Sequence, residues 1–198
     1  MRWSRPLGDI DAAATYGSSA RQSLYVGNTD GAIYRVQTTD GQSRWSSGGS
    51  GCGAFAGDEQ VYCTATDTRT NASSCPAGPA VTSGFFVVWT GTHAGRIVFA
   101  AADGYVRMID PTGQLVWKSP APISGASFPL LLPQLDSVFV SSTAGKVRQL
   151  SLSTGVQTAV QQVGDGTGAV GSLAYDTYAQ QLYVACTDGK LYRYAVPF

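Results

Sequence analysis

Charge is what this chain has least of. Charged residues make up 13% of its 198 positions, against roughly 25% in ordinary soluble domains. Glu59 is the only glutamate, His93 the only histidine, and Asn28 and Asn71 the only asparagines. Lys plus Arg and Asp plus Glu both number 13, so the formal net charge is zero. With no basic excess or basic cluster, nucleic acid is excluded as the main partner. Long apolar runs are missing too. The longest, Phe85–Trp89, is one strand's worth, and no run nears the ~20 residues of a spanning helix. The N-terminal MRWSRPLGD lacks the apolar core of a signal peptide. One histidine and four scattered cysteines in no ligand spacing argue against a zinc site.

Glycine is abundant, at 24 residues, and the mixture of Gly, Ser, Thr and β-branched residues favours strands and turns over helices. Leu24–Trp45, LYVGNTDGAIYRVQTTDGQSRW, reads as strand, Asp-Gly turn, strand, Gly turn, strand. The pattern recurs in Ile97–Trp117, Ser137–Gly155 and Gln181–Val196, and in degenerate form at Gln60–Thr68. The turn positions Gly31, Thr68, Gly104, Gly145 and Gly189 lie 36 to 44 residues apart, the period of a propeller blade. The expectation is an all-β chain in one domain, a small β-propeller of about five four-stranded blades. Arg2-Trp3-Ser4 repeats Arg44-Trp45-Ser46, and the N-terminal strand is predicted to complete the last blade and close the ring. The second unit, about residues 48–83, is the irregular one. After the turn Gly, the second and fifth positions are apolar: Ile33 and Val36, Val106 and Ile109, Val147 and Leu150, Leu191 and Tyr194. These positions face opposite ways, as a sheet sandwiched between two others requires.

The motif TDG-x-h-Y followed by h-x-x-x-(T)G-x-x-x-W, clearest in Ala102–Trp117 and Ala32–Trp45, resembles the blade motif of the PQQ-like, or quinoprotein-type, β-propellers. That family includes alcohol dehydrogenases using pyrroloquinoline quinone. It also includes non-catalytic scaffolds such as the lipoprotein of the outer-membrane barrel-assembly machinery. The resemblance implies the fold more strongly than any activity. Family enzymes carry adjacent paired cysteines beside the cofactor and acidic and amide ligands for Ca²⁺; here no two cysteines are adjacent and those ligands are scarce. No catalytic residue, cofactor or metal is expected.

Other candidates have structural explanations. Asp30, Asp67, Asp103 and Asp188 recur at one turn and would form an acidic rim, but Asp-Gly also suits a type I′ hairpin, both residues at positive φ. Trp3, Trp45 and Trp117 recur in the outermost strand, where packing between blades explains them. Arg35, Arg107, Arg148 and Arg193 fall at two offsets and build no single patch. His93, in a loop, would need a serine and an aspartate placed by tertiary structure. Cys52 and Cys63 would face each other across a hairpin turning at Gly57-Asp58 and form the candidate disulfide, with Cys75 a competitor for either. Asn71-Ala72-Ser73 is a candidate N-glycosylation site. Low charge, clustered cysteines and this triplet point to an exported or extracytoplasmic protein. The function expected is that of a non-enzymatic structural or protein-interaction subunit of a larger assembly. The alternatives are an extracellular carbohydrate-binding propeller, with Tyr16, Trp89 and Tyr178 as sugar-stacking aromatics, and a quinoprotein dehydrogenase remnant.

Overall fold

The computed structural model describes Ser4 and residues 7–17, 23–39, 41, 45 and 60–198. Four antiparallel sheets follow one another along the chain. Sheet 1 contains β1 (Thr15–Tyr16), β2 (Ser23–Gly27), β3 (Ala32–Gln37), β4 (Gln60–Cys63) and β5 (Thr68–Asn71). Sheet 2 contains β6 (Phe86–Val87), β7 (Ile97–Ala100), β8 (Val106–Ile109) and β9 (Leu115–Lys118). Sheet 3 contains β10 (Leu130–Leu132), β11 (Ser137–Ser142), β12 (Lys146–Ser151) and β13 (Gln157–Gln162). Sheet 4 contains β14 (Val170–Asp176), β15 (Gln181–Cys186) and β16 (Leu191–Ala195). Each is an up-and-down meander in sequence order, the plan of a propeller blade.

Period-two alternation builds the cores between sheets. In β7, Ile97 and Phe99 face sheet 1, while Val98 and Ala100 face sheet 3. The paired apolar positions behave accordingly: Val106 joins the sheet 2–3 core and Ile109 the sheet 1–2 core. Val147 joins the sheet 3–4 core and Leu150 the sheet 2–3 core. With both faces covered, β7, β8 and β11 are buried along their whole length. A sheet wetted on one side would not be.

The five sequence units give four sheets among the described residues. The second unit does not form a sheet of its own; its hairpin, β4 and β5, extends sheet 1 through Ala32↔Cys63 and Ile33↔Tyr62. The reason is chemical. β5 reads TRTN, has no buried residue, and offers nothing for a second apolar face. The terminal strand predicted at Arg2-Trp3-Ser4 lies outside the described residues, apart from exposed Ser4.

The turns also differ from the prediction. Gly31, Gly104 and Gly189 have φ of 78° to 81°, but Asp30, Asp103 and Asp188 do not have positive φ. The Gly31 N–H donates to Asn28 O and the Asn28 N–H to Ala32 O; Gly104 and Gly189 repeat this geometry. This is a turn closed by a left-handed glycine rather than a two-residue type I′ turn. The predicted Cys52–Cys63 bridge is corrected as well. Cys63 is bonded to Cys75, with Cα atoms 5.6 Å apart, and Cys52 lies outside the described residues. β5 and the short 3₁₀ turn Ala72–Ser74 reverse the chain and return Cys75 to the end of β4.

Tryptophans fasten successive sheets. Trp117 in β9 lies against Gly155 in the next sheet's last turn, and its indole N–H donates to Leu152 O at 2.8 Å. Trp45 repeats this against Gly113, donating to Pro111 O at 3.0 Å. A Cβ on Gly155 would stand 2.5 Å from the Trp117 ring, whereas one on Gly189 would meet nothing within 4 Å. Both glycines have left-handed φ, so replacing either with Ala carries the same backbone cost of about 1–2 kcal/mol. Gly155→Ala is expected to lose about 1–3 kcal/mol more than Gly189→Ala, from the overpacked indole. Urea unfolding of both variants measures the difference, and equal midpoints would show that the indole contact does not fix the spacing of the sheets.

Candidate functional site

The densest polar cluster lies where sheets 1 and 2 meet. Arg107 extends from β8 with its side chain fully buried. Asp103 lies four residues earlier, in the β7–β8 turn. Asp67 lies in the β4–β5 turn of sheet 1, where it adopts a left-handed φ of 53° that Asp tolerates better than most residues. Arg107 donates from Nε to Asp67 Oδ1 at 2.6 Å. Its terminal nitrogens bind the two Asp103 oxygens at 2.9 and 2.6 Å. Lys118 Nζ reaches the second Asp67 oxygen at 2.8 Å and stands 4.4 Å from the centre of the Tyr105 ring. The Tyr62 hydroxyl donates to Asp67 at 2.9 Å.

Two cations and two anions cancel, and each carboxylate oxygen has a donor. Burial pushes the Asp67 carboxyl up, but hydrogen bonds from Lys118, Arg107 and Tyr62 together outweigh it and hold it below the ordinary range. At Asp103 burial is likewise outweighed, by Arg107 and the Tyr105 N–H. Burial, reinforced by the Asp67 carboxylate, keeps the Tyr62 phenol protonated. The cluster therefore holds Asp67 and Asp103 as carboxylates around the Arg107 guanidinium, with Tyr62 as a neutral donor.

A second constellation joins sheets 2 and 3. His93 Nε2 lies 3.1 Å from Ser153 Oγ, and Ser153 Oγ lies 2.6 Å from Asp136 Oδ1. These are the residue types of a hydrolytic triad, connected in the wrong order. In a triad the carboxylate orients the histidine and the histidine takes the serine proton. Here Arg96 occupies His93 Nδ1 at 2.6 Å, so that nitrogen accepts and Nε2 carries the hydrogen that is donated to Ser153. The Ser153 hydroxyl donates to Asp136, which also accepts from the Ser153 N–H and the Ser151 hydroxyl. The serine has no base, and the group works as a tie between loops.

The remaining candidates are dispersed. Of the four turn aspartates, only Asp67 and Asp103 come together, at Arg107 rather than as an open rim; Asp188 accepts from Tyr192 and Asp30 is exposed. Arg35 donates to Pro111 O at 2.7 Å across the same junction, Arg148 pairs with Gln157 within sheet 3, and Arg193 is exposed. Tyr16, Trp89 and Tyr178 are exposed on three different sheets. Asn71 ends β5, with its carbonyl engaged by Gln60. Cys186 is a half-buried free thiol. Among the described residues no group of three or more His, Cys, Asp or Glu could hold a metal ion, and no helix is long and apolar enough to cross a membrane. Sequence reading missed both constellations. Asp103 and Arg107, four apart, flank one turn, but nothing in the sequence marks the partners that tertiary structure adds.

The comparisons agree with this geometry. A family model described as outer membrane protein assembly factor BamB matches residues 2–196. The chain belongs to this family of β-propellers. Comparison with curated proteins finds no match. Among solved structures, BamB from Moraxella catarrhalis aligns over 93% of this chain and 46% of its own, with 16% identity and a TM-score of 0.63. The C-terminal WD40 domain of Sif2 aligns over 94% and 46%, with 13% identity and a TM-score of 0.63. The computationally designed Ika4 aligns over 98% and 100%, with 15% identity and a TM-score of 0.54. At these identities the likeness concerns the fold alone. The chain spans about half the length of the BamB and Sif2 chains.

Within this BamB-like arc, Arg107→Ala leaves two carboxylates half-buried without their main partner and is expected to cost about 3–5 kcal/mol. Lys118→Ala, at a side chain 31% exposed, should cost less than about 1 kcal/mol. Chemical denaturation of both variants tests the contrast, and equal losses would mean that Arg107 is not the keystone. The acid side supplies a second test. Folded pKa values below the unfolded ones stabilise the protein above about pH 4, and this stability is lost as pH falls through the folded values. Unfolding free energy should therefore fall steeply below about pH 4, and less so in a Asp67→Asn, Asp103→Asn double variant measured over the same range.

Proposed function

We propose that the chain is a non-enzymatic propeller module that serves as a structural and protein-interaction element of a larger assembly. The observation that carries this reading is the match to an outer membrane protein assembly factor family over residues 2–196. The use of the polar side chains supports it. Arg107, Asp67, Asp103 and Lys118 satisfy one another between sheets, and His93, Ser153 and Asp136 do so between loops. Groups already satisfied by the protein are not free to stabilise charge developing on a substrate. What is offered outward is a rigid frame of strands carrying loops, with Trp89 53% and Tyr178 99% exposed. Aromatic side chains of this kind serve as anchors at protein interfaces. The Cys63–Cys75 disulfide supports an extracytoplasmic setting, since such bonds persist in oxidising compartments.

The test is gentle extraction and native mass measurement of the tagged protein from its own cells. Stoichiometric subunits should co-purify, and the intact chain should gain two hydrogens only after reduction. Saturable binding of pyrroloquinoline quinone with Ca²⁺, accompanied by alcohol-dependent dye reduction, would replace the assembly reading with the enzymatic one.

A further inference from the structure

The outermost strands of the described sheets are β5, β9, β13 and β16, and they differ in charge. β5 carries Arg69, β9 carries Lys118 and β16 carries Arg193. β13 reads QTAVQQ, with no charge, glycine or proline. Sheet edges are ordinarily guarded against pairing by charge, proline, brevity or a bulge. The guard on β13 is a register shift opposite Gln149 and Leu150, and residues 159–162 beyond it keep a regular register with β12.

The hydrogen bonds show which backbone groups this edge offers. The Val163 N–H donates to Gly145 O at 2.9 Å, and the register continues as Gln161↔Val147 and Ala159↔Gln149. Backbone groups alternate between the two edges of a strand, so those of Val160 and Gln162 point away from β12. Gln162 O already accepts from the Tyr194 hydroxyl and from the Gln161 side-chain amide. Val160 directs both its N–H and its C=O to the open edge, and its residue is 48% exposed.

We propose that β13 pairs antiparallel with β13 of a second copy of the chain, Val160 facing Val160 on a two-fold axis. Each Val160 N–H donates to the other's C=O, and sheet 3 continues across two chains. Thr158 lies opposite Gln162, so uncharged side chains meet along the contact. Charge selects both the edge and its occupant. A two-fold pairing of β5, β9 or β16 would bring Arg69, Lys118 or Arg193 towards its own copy, and like charges destabilise a strand pair. The cations nearest β13, Lys146 and Arg148, stand one strand back on β12, and Arg148 is drawn to Gln157. Each chain spends its one such edge, so the assembly stops at two. Six residues span only about 20 Å, and so small a contact gives weak association. The proposal does not depend on the assembly reading above.

Sedimentation equilibrium between micromolar and millimolar protein tests this. The mass should rise from that of the 20.7 kDa chain towards twice that value. Val160→Lys and Val160→Glu should each weaken association on the order of tenfold while keeping the wild-type circular dichroism, because each places like charges on the axis. Mixing the two variants should restore association, since unlike charges then face each other. Tyr178→Ser, in the exposed β14–β15 turn, should leave it unchanged. Hydrogen exchange of the unmodified chain provides a readout that requires no variant: the Val160 amide should become protected as concentration rises. A single-chain mass at every concentration would overturn the proposal. A dimer indifferent to the charge at position 160, or variants that do not associate on mixing, would overturn it equally.

Discussion

The structure depends on how far apart successive sheets are held, and an indole against a glycine sets that distance. Trp45 and Trp117 each lie four residues after a turn glycine, Gly41 and Gly113, and each rests on the corresponding glycine one sheet further along. The indole N–H donates to a carbonyl of the same turn, Leu152 O for Trp117 and, beside Arg35, Pro111 O for Trp45. One side chain therefore supplies apolar area, a hydrogen bond and a fixed spacing. The contact requires a residue with no Cβ at a left-handed φ, which only glycine provides without strain. Once that spacing is set, side chains alternating along β7, β8 and β11 fill the gaps on both sides.

The clasp is absent from the third junction. Four residues after Gly155 stands Ala159, not tryptophan. Sheet 4 is held by another device, an aromatic corner in which Phe198 packs edge-on against Phe139 and Tyr194. The Phe198 N–H also donates to Gln149 on sheet 3. This anchor comes from the end of the chain rather than from the blade repeat, and it accompanies the sheet with the most solvent on it. At the opposite junction the clasp is reinforced by charge. Arg35 and Trp45 both donate to Pro111 O, and Arg107 ties sheet 2 to Asp67 of sheet 1. A buried ion pair adds little net stability, because desolvation offsets attraction, but it penalises every misregistered packing that leaves one partner unpaired. The irregular hairpin of β4 and β5, which has no apolar second face, is where such a penalty is most useful.

The repeat was legible in the sequence because it is physical before it is statistical. A glycine closes four of the five repeat turns, at Gly31, Gly104, Gly145 and Gly189, and apolar residues must sit on both faces of a sandwiched strand. Val106 with Ile109 and Val147 with Leu150 therefore mark their faces unaided. Leu191 carries the same signature, yet in this arc it faces solvent. What escaped the sequence depended on partners distant along the chain. The repeat ruler places a unit at Gln60–Thr68, but whether that unit founds a blade or extends one depends on the edge β3 offers at Ala32 and Ile33. Cys63 has two sequence-compatible partners, and only the path through the 3₁₀ turn selects Cys75. The candidate site was the least legible part. Arg107 looks like any strand arginine until Asp67 arrives from 40 residues away.

This distribution of chemistry bears on what the molecule is built for. A nucleophile needs a base that is idle in the resting state, and an acid needs a proton with somewhere to go. Here the one histidine has Arg96 on one nitrogen and Ser153 on the other, and that serine has already committed its proton to Asp136. To act on a substrate, each would first have to break the tie that aligns loops of sheets 2 and 3, so reactivity would cost the rigidity on which the arc relies. A module whose task is to present fixed surfaces bears no such conflict. Its polar residues tie the described sheets to one another, and its tryptophans set the spacing of sheets 1, 2 and 3.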